Sequence, residues 1–173
     1  MDVVDDHPAP HELESRDPTL EDVVELCREL NAQGARYVVI GGFAIRAAGY
    51  LSHTMDVDLL IETGAENERR VFKALERLPD QAVKELTPGE VAQYAVIRVA
   101  DEIVVDLMKS ACGIEYHEAA LDVISHEVDG VVIPFASPRL LWRMKRSTER
   151  DKDVPDLHFL RLLLERQGEP IPE

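Results

Sequence analysis

The chain has 173 residues and a mass of 19.4 kDa, a length that suits one well-packed domain and is short for two. Its 45% hydrophobic and 31% charged residues are typical of a globular protein and exclude a chain that is disordered throughout. The formal net charge of −15 opposes nonspecific binding to polyanions, which excludes a protein that coats DNA.

The N-terminal region carries much of this negative charge. Residues 1–22 contain eight acidic side chains and one basic side chain, Arg16. With two prolines and few apolar residues, residues 1–16 are predicted to form a flexible acidic tail. The first residues are acidic where an export signal would be basic, and the longest nearly apolar run, 37–45, is too short to span a bilayer. We therefore expect a cytoplasmic protein with no membrane span.

Hydrophobic periodicity and turn residues predict alternating helices and strands after the tail. Asp17 is the expected N-cap of the first helix, with Pro18 at its first position, and Gly34 is expected to end it. A second cap and proline, Ser137 and Pro138, predict another helix start. The other predicted elements are a strand over 36–40, a short helix over 43–48, a strand over 55–61, a helix over 66–78, strands over 92–99 and 102–108 that form a hairpin joined at 100–101, a strand over 131–135 and a last helix over 154–166.

A pair of glycines, Gly41 and Gly42, joins the first strand directly to the short helix. Glycines at such a turn let a triphosphate approach the backbone, and amide groups at the start of a helix favour an anion. Simple chain geometry is the alternative interpretation of this turn. Asp56 follows Gly42 by fourteen residues, which is enough for one short helix and a return of the chain to the same place.

Three aspartates are candidate metal ligands. Asp56 and Asp58 lie two positions apart on one predicted strand and therefore point to the same side, while Asp106 lies on a later strand. Carboxylate oxygens suit Mg²⁺ or Mn²⁺, which share their coordination with substrate phosphates. The pattern predicts a divalent-metal site, and a solvated face of the strand is the alternative.

The order and spacing of these motifs resemble the polymerase-beta-like nucleotidyltransferase superfamily. The resemblance covers roughly residues 36–160, and it rests on the glycine turn at 39–44, the two-aspartate strand at 54–60 and the later acid at 104–107. The chain looks most like the small bacterial branch that includes abortive-infection and toxin-antitoxin nucleotidyltransferases. The C-terminal motif of that branch, a lysine followed by an Arg-x-Lys-Asp set and a further aspartate, is matched by Lys145, by residues 150–153 and by Asp156.

The chain departs from the pattern of this branch at two places. Ser52, next to His53, stands where an arginine is common, and Gly42 replaces the serine of the usual Gly-Ser turn. The first departure removes a contact to phosphate or substrate, so activity is less firmly implied than the fold.

The segment 139–152 concentrates positive charge in an acidic protein, with six basic and two acidic residues. Lys145, Arg150 and Lys152 are the candidates to neutralise a bound triphosphate. The alternative is a solvated helix face whose bases pair with the abundant acids.

The resemblance implies an α+β nucleotidyltransferase fold, in which a mixed sheet is flanked by helices. The expected organisation is a core over 17–136 with a C-terminal helical segment over 137–173 packed on it. It also implies a Mg²⁺-dependent (or Mn²⁺-dependent) enzyme that moves a nucleoside monophosphate from an NTP to a hydroxyl of a protein, an RNA or a small molecule, with a cognate antitoxin as a possible partner.

In that enzyme Asp56 and Asp58 hold the metal ions, Asp106 helps to bind one and activates the attacking hydroxyl, and the glycine turn positions the phosphates. A nonenzymatic nucleotide-binding or partner-binding module of the same fold is the alternative, and Ser52 motivates it.

Overall fold

The computed structural model describes residues 14–148 and 150–173. The predicted acidic tail lies outside these residues except for 14–16. The helices and strands, in chain order, are α1 (Leu20–Ala32), β1 (Tyr37–Ile40), α2 (Gly41–Ala47), β2 (Asp56–Ile61), α3 (Ala65–Leu75), β3 (Val96–Ala100), β4 (Val104–Met108), β5 (Ser110–Ala111), β6 (Ile114–Glu115), α4 (Tyr116–Ala119), β7 (Val123–Val128), β8 (Val131–Ala136), α5 (Pro138–Arg146) and α6 (Val154–Gln167).

Six of the strands form one mixed sheet in the order β3-β4-β2-β1-β8-β7. The β2–β4 and β1–β8 pairs are parallel, whereas β1–β2, β3–β4 and β7–β8 are antiparallel. Strands β5 and β6 form a separate two-stranded ribbon. The predicted α+β class with a mixed sheet flanked by helices is therefore confirmed.

The centre of the sheet is covered on both faces. Leu59, Leu60 and Ile61 are consecutive in β2 and all are fully buried, although neighbouring side chains on a strand point to opposite faces. Helix α1 packs against α3 and β8, while α2 packs against β1, β2 and α5. The C-terminal helices α5 and α6 pack against each other. Because α2 contacts both α5 and the sheet, it links these helices to the sheet.

The first helix begins two residues later than the sequence pattern suggested. Its N-cap is Thr19, because the Thr19 hydroxyl accepts a hydrogen bond from the backbone N–H of Asp22 while the Asp22 carboxylate accepts one from the backbone N–H of Thr19. Arg16 also donates to Asp22 at 2.7 Å, and this bond is the main cause that lowers the pKa of Asp22 to about 2. The predicted cap at Asp17 was wrong because a reciprocal capping box is available at Thr19.

The β3–β4 hairpin has a longer loop than predicted. Its last pair is Ala100 with Val104, so the loop comprises residues 101–103 and not 100–101. The buried carboxylate of Asp101 accepts hydrogen bonds from the backbone N–H groups of Asp80, Ala82 and Glu102, which ties this loop to the segment after α3.

Two further regions differ from the prediction. Strand β7 was not predicted, although Asp129 and Gly130, with φ of 51° and 75°, make the tight left-handed turn that joins it to β8. Ser15 and Arg16, which belong to the segment predicted as a tail, hydrogen-bond to the backbone carbonyls of Asp101 and Glu102. Among the described residues, no helix has the length and apolar character needed to cross a membrane.

Candidate active site

The three candidate metal ligands lie together because their two strands are parallel neighbours. In the β2–β4 pair Asp58 is opposite Asp106, and Asp56 is opposite Val104. One carboxylate oxygen from each of Asp56, Asp58 and Asp106 lies within 4.8 Å of the other two. The side chain of Asp106 is only 7% exposed and that of Asp56 is 27% exposed, so the acids line a sheltered site.

The electrostatics of this cluster favour a cation. Burial raises the pKa of Asp58 to about 7, and the charges of Asp56 and Asp106 add to that effect. Burial also raises the pKa of Asp56, and the charge of Asp106 adds to it. The charges of Asp56 and Asp106 therefore disfavour ionisation of Asp58, and a positive ion between the carboxylates would relieve this repulsion.

The glycine turn packs closely against Asp58 and Thr54. Gly41 has a φ of +65°, and a Cβ atom at this position would lie 2.1 Å from Oδ2 of Asp58. A Cβ atom on Gly42 would lie 2.6 Å from Cβ of Thr54, whose hydroxyl donates to the backbone carbonyl of Asp56 at 2.8 Å. Both glycines are thus required for close packing, Gly41 against Asp58 on β2 and Gly42 against Thr54 just before β2, whatever they contribute to phosphate binding.

Lys145 lies deep in the same region. Its Nζ is 3.0 Å from Oδ1 of Asp153 and 3.1 Å from Oδ2 of Asp156, and its side chain is 15% exposed. Burial acts to lower the pKa of Lys145, but the hydrogen bonds to the two carboxylates outweigh it and raise the pKa. The charge of Lys145 also acts to lower the pKa of Asp58, so the lysine is electrostatically coupled to the acidic cluster.

The other two predicted basic residues, Lys152 and Arg150, differ in how closely they approach the three aspartates. The charge of Lys152 acts to lower the pKa of Asp56, which places it within electrostatic reach. Arg150 is exposed and immediately precedes the single helical turn Asp151–Asp153. Within the described part of the chain, no hydrogen bond or ion pair connects its side chain to the three aspartates of the cluster. The structure thus brings Lys145 and Lys152 to the site more clearly than it brings Arg150.

The loop before β2 has no arginine at position 52. The backbone carbonyl of Ser52 accepts a hydrogen bond from Nε of Arg46 at 2.6 Å, so a guanidinium lies next to this loop although it comes from α2. Nε2 of His53 is 3.6 Å from Oδ2 of Asp17, and its side chain is 72% exposed.

Arg98, on β3, is a site residue that the sequence analysis missed. Its Nε and Nη2 atoms donate to the two carboxylate oxygens of Asp106 at 2.9 and 2.8 Å, and Nη2 also donates to Oδ2 of Asp56 at 3.1 Å. Arg98 is directly opposite Asp106 across the β3–β4 pair. A correct hairpin register would have predicted this contact, but a turn at 100–101 would place Arg98 opposite Ile103.

Comparison with known proteins identified a matching family and a similar fold. Residues 19–169 match a family described as nucleotidyl transferase of unknown function (DUF2204). An antigenic nucleotidyltransferase-like protein from Paracoccidioides brasiliensis shares the fold, with 16% identity, a TM-score of 0.54 and coverage of 85% of this chain and 76% of that chain. A candidate nucleotidyltransferase from Thermotoga maritima gives 14% identity, a TM-score of 0.47 and coverage of 87% and 97%, respectively.

No curated protein matches the chain in sequence. The family match spans the glycine turn, the three aspartates and both C-terminal helices. The chain therefore belongs to this nucleotidyl transferase family, within the nucleotidyltransferase superfamily that its motifs resemble.

Proposed function

We propose that the protein is a divalent-metal-dependent nucleotidyltransferase that moves a nucleoside monophosphate from an NTP to a hydroxyl acceptor. The observation that carries this proposal is the convergence of Asp56, Asp58 and Asp106 from two parallel strands, with carboxylate oxygens within 4.8 Å of one another. The family match and the fold support it independently.

The donor set fits Mg²⁺ or Mn²⁺, which prefer carboxylate oxygens, and the repulsion within the cluster gives the cation an electrostatic role. A divalent cation bound there would withdraw charge from the phosphate oxygens and stabilise the charge that develops during transfer. Asp56 and Asp58 would hold the ions, and Asp106 would share one of them.

Residues of the chain assist the transfer step itself. The acceptor oxygen attacks the α-phosphorus while the bond between that phosphorus and the bridging oxygen of the β-phosphate breaks, and pyrophosphate leaves. The carboxylate of Asp106 accepts the proton of the acceptor hydroxyl. Lys145 and Lys152 supply positive charge beside the acids, and Arg150 would add to it if the triphosphate extends past the turn that it precedes. The backbone at Gly41 and Gly42 would position the phosphates.

The acceptor is a hydroxyl of a protein, an RNA or a small molecule, and the reaction would take place in the cytoplasm. A role as the toxin of a toxin-antitoxin pair, with a cognate antitoxin as partner, belongs to the same proposal and is motivated by the C-terminal motif around Lys145.

The test is label transfer from α-labelled NTPs, with Mg²⁺ or Mn²⁺, to the protein itself, to total RNA and to lysate proteins. Asp58→Asn should reduce transfer by ~10²-fold to 10³-fold while folding survives, because it removes charge from the metal site. Asp129→Asn, in the exposed β7–β8 turn, is the matched control and should transfer label like the native protein. Equal labelling by the native and Asp58→Asn proteins would refute the site.

The second candidate function is a nonenzymatic nucleotide-binding or partner-binding module. It is favoured by Arg98, which already neutralises Asp56 and Asp106, and by Ser52 in place of arginine. Binding of NTP without transfer to any acceptor in the same assay would support this candidate instead.

A further inference from the structure

We propose that Arg98 is an internal counter-ion that competes with the divalent cation, so that its guanidinium must leave Asp56 and Asp106 before the metal can bind. This inference rests on the proposed function only in taking the three aspartates as a cation site. It concerns the affinity of that site and is independent of turnover.

The contacts of Arg98 use the oxygen atoms that a shared cation would use. Both oxygens of Asp106 and Oδ2 of Asp56 accept its hydrogen bonds, at 2.9, 2.8 and 3.1 Å. The pairing with Asp106 is bidentate, which is the strongest geometry between guanidinium and carboxylate. One guanidinium nitrogen, Nη2, is shared between acids on two different strands and therefore stands between them.

The partners differ in their freedom to move. The side chains of Asp106 and Asp56 are 7% and 27% exposed and belong to interior strands, whereas Arg98 is 60% exposed and belongs to β3 at the edge of the sheet. The guanidinium can therefore turn into water without burying a charge. The aspartates are fixed on interior strands and are less exposed, so Arg98 is the group that moves.

The charge balance explains why a cation can displace it. The three aspartates carry up to three negative charges, and Arg98 supplies one positive charge to two of them. Among the described residues, the hydrogen bonds of Arg98 do not reach Asp58. A divalent ion supplies twice the charge and can share all three carboxylates, but it must first break the existing pairs. Arg98 thus lowers the apparent metal affinity and sets the cation concentration at which the site fills.

A purely structural role makes a different prediction. If Arg98 only fastened the edge strand β3 to β4, its removal would destabilise the sheet and would leave metal affinity equal or lower. The counter-ion role predicts that removal strengthens metal binding, because the carboxylate oxygens become available. Metal affinity of the folded full-length chain therefore separates the two roles.

The experiment measures Mn²⁺ binding by electron paramagnetic resonance of the free ion, with thermal melts in chelator and in Mn²⁺. Arg98→Gln should bind Mn²⁺ about tenfold more tightly than the native chain, which corresponds to ~1.4 kcal/mol. In chelator, Arg98→Gln should melt at a lower temperature than the native protein. Mn²⁺ should raise the melting temperature of Arg98→Gln by more than it raises the melting temperature of the native protein. Arg161→Gln is the matched control, because Arg161 is also an arginine with 62% exposure that is paired to an acid, but it lies on α6 and should leave affinity unchanged.

Arg98→Lys distinguishes occupation of the oxygens from long-range repulsion of the cation. It keeps the positive charge and loses the bidentate contact, so it should tighten Mn²⁺ binding by a smaller factor than Arg98→Gln. It also serves as the test if Arg98→Gln does not fold. Combining Arg98→Gln with Asp58→Asn should abolish the added affinity, which shows that the bound ion is at this site.

The outcomes separate this inference from the proposed function. Tighter Mn²⁺ binding by Arg98→Gln without label transfer from any NTP would support the counter-ion role and reject the transferase. Unchanged or weaker binding by both folded Arg98 variants, or no Mn²⁺ binding by the native protein and both variants, would overturn the counter-ion role. Transfer that depends on Asp58 would then still establish the transferase.

Discussion

The backbone of Gly41 lies directly against the carboxylate of Asp58. A Cβ atom built on Gly41 would be 2.1 Å from Oδ2 of Asp58 and 2.9 Å from its Cγ, distances that no side chain can occupy. The absence of a side chain at this turn therefore allows Asp58 to point into the acidic cluster. The glycine and the aspartate form one structural unit, although they are seventeen positions apart.

Gly41→Ala should damage both stability and metal binding. Its φ of +65° is unfavourable for alanine, and the new methyl group would also displace Asp58. Gly130→Ala is the matched control, since φ is +75° there and a Cβ atom would meet nothing within 4 Å. We expect Gly130→Ala to lower the free energy of unfolding by ~1 kcal/mol, and Gly41→Ala to lower it by more and to weaken Mn²⁺ binding as well. Equal losses in urea denaturation would contradict the contact with Asp58.

Asp58→Asn should stabilise the metal-free protein at neutral and alkaline pH. The pKa of Asp58 is raised to about 7, mainly by burial, so the native state holds a proton that the unfolded chain releases near pH 4. The Asp58 carboxyl therefore contributes a loss of stability as pH rises from about 4 to about 7, and Asp58→Asn removes that contribution. In chelator we expect the variant to be more stable by ~2–4 kcal/mol at pH 8, with a smaller difference at pH 5.

Urea denaturation of the native and Asp58→Asn proteins at these two pH values is the measurement. Asp129→Asn is the control and should show no pH-dependent gain. Mn²⁺ should stabilise the native protein and not Asp58→Asn. If the difference in unfolding free energy between the two proteins did not change with pH, titration of Asp58 would not be its cause.

Lys145→Met should destabilise the C-terminal helices strongly. It removes the partner of Asp153 and Asp156, whose side chains are only 8% and 10% exposed, and leaves two sheltered carboxylates facing each other. Loss of one member of such a buried network costs ~3 kcal/mol or more. The control is Arg146→Met on the same helix. Nη1 of Arg146 donates to the backbone carbonyl of Pro172 and, among the described residues, pairs with no buried acid, so this variant should cost much less.

Adding Asp153→Asn and Asp156→Asn to Lys145→Met should recover part of the lost stability, because the unpaired charges are then removed. The free energies of unfolding of the single and triple variants measure this recovery. A Lys145→Met variant as stable as Arg146→Met would show that the network does not hold these helices.

Thr19→Ala should lower the free energy of unfolding by about 1 kcal/mol, the usual effect of losing a capping residue. Asp17→Ala should have a smaller effect, because the capping box is formed by Thr19 and Asp22. Thermal melts of the two variants compare the cap in the structure with the cap that the sequence suggested. The opposite order of stabilities would favour Asp17.

The aspartate cluster could be predicted from the sequence because two simple regularities determine it. Alternation along a strand places Asp56 and Asp58 on one side, and the glycine turn before them indicated the family pattern that adds Asp106. Lys145 was a candidate because basic residues concentrate at 139–152 and because it matches the C-terminal motif of the family pattern. The helix start predicted before it, at Ser137 and Pro138, is present in the structure. Strand alternation, helix capping and charge clustering are local features, so a single sequence is enough to detect them.

Arg98 could not be found in the same way because its role depends on the register of a hairpin. The buried carboxylate of Asp101 binds the backbone of residues 80 and 82, and this distant contact lengthens the loop by a residue. The change brings Arg98 opposite Asp106. Contacts with a segment twenty residues away leave no periodic signal, so the sequence pattern placed the turn too early.

The parallel pairing of β2 with β4 also affects how the protein folds. Asp58 and Asp106 are forty-eight residues apart, and a helix and a long connection must be ordered before their strands can pair. Closing such a large loop is slow compared with forming a hairpin, so the site should assemble late in folding. A cation that needs all three aspartates will then bind the native sheet and not its precursors, which makes metal uptake during refolding a reporter of the final step.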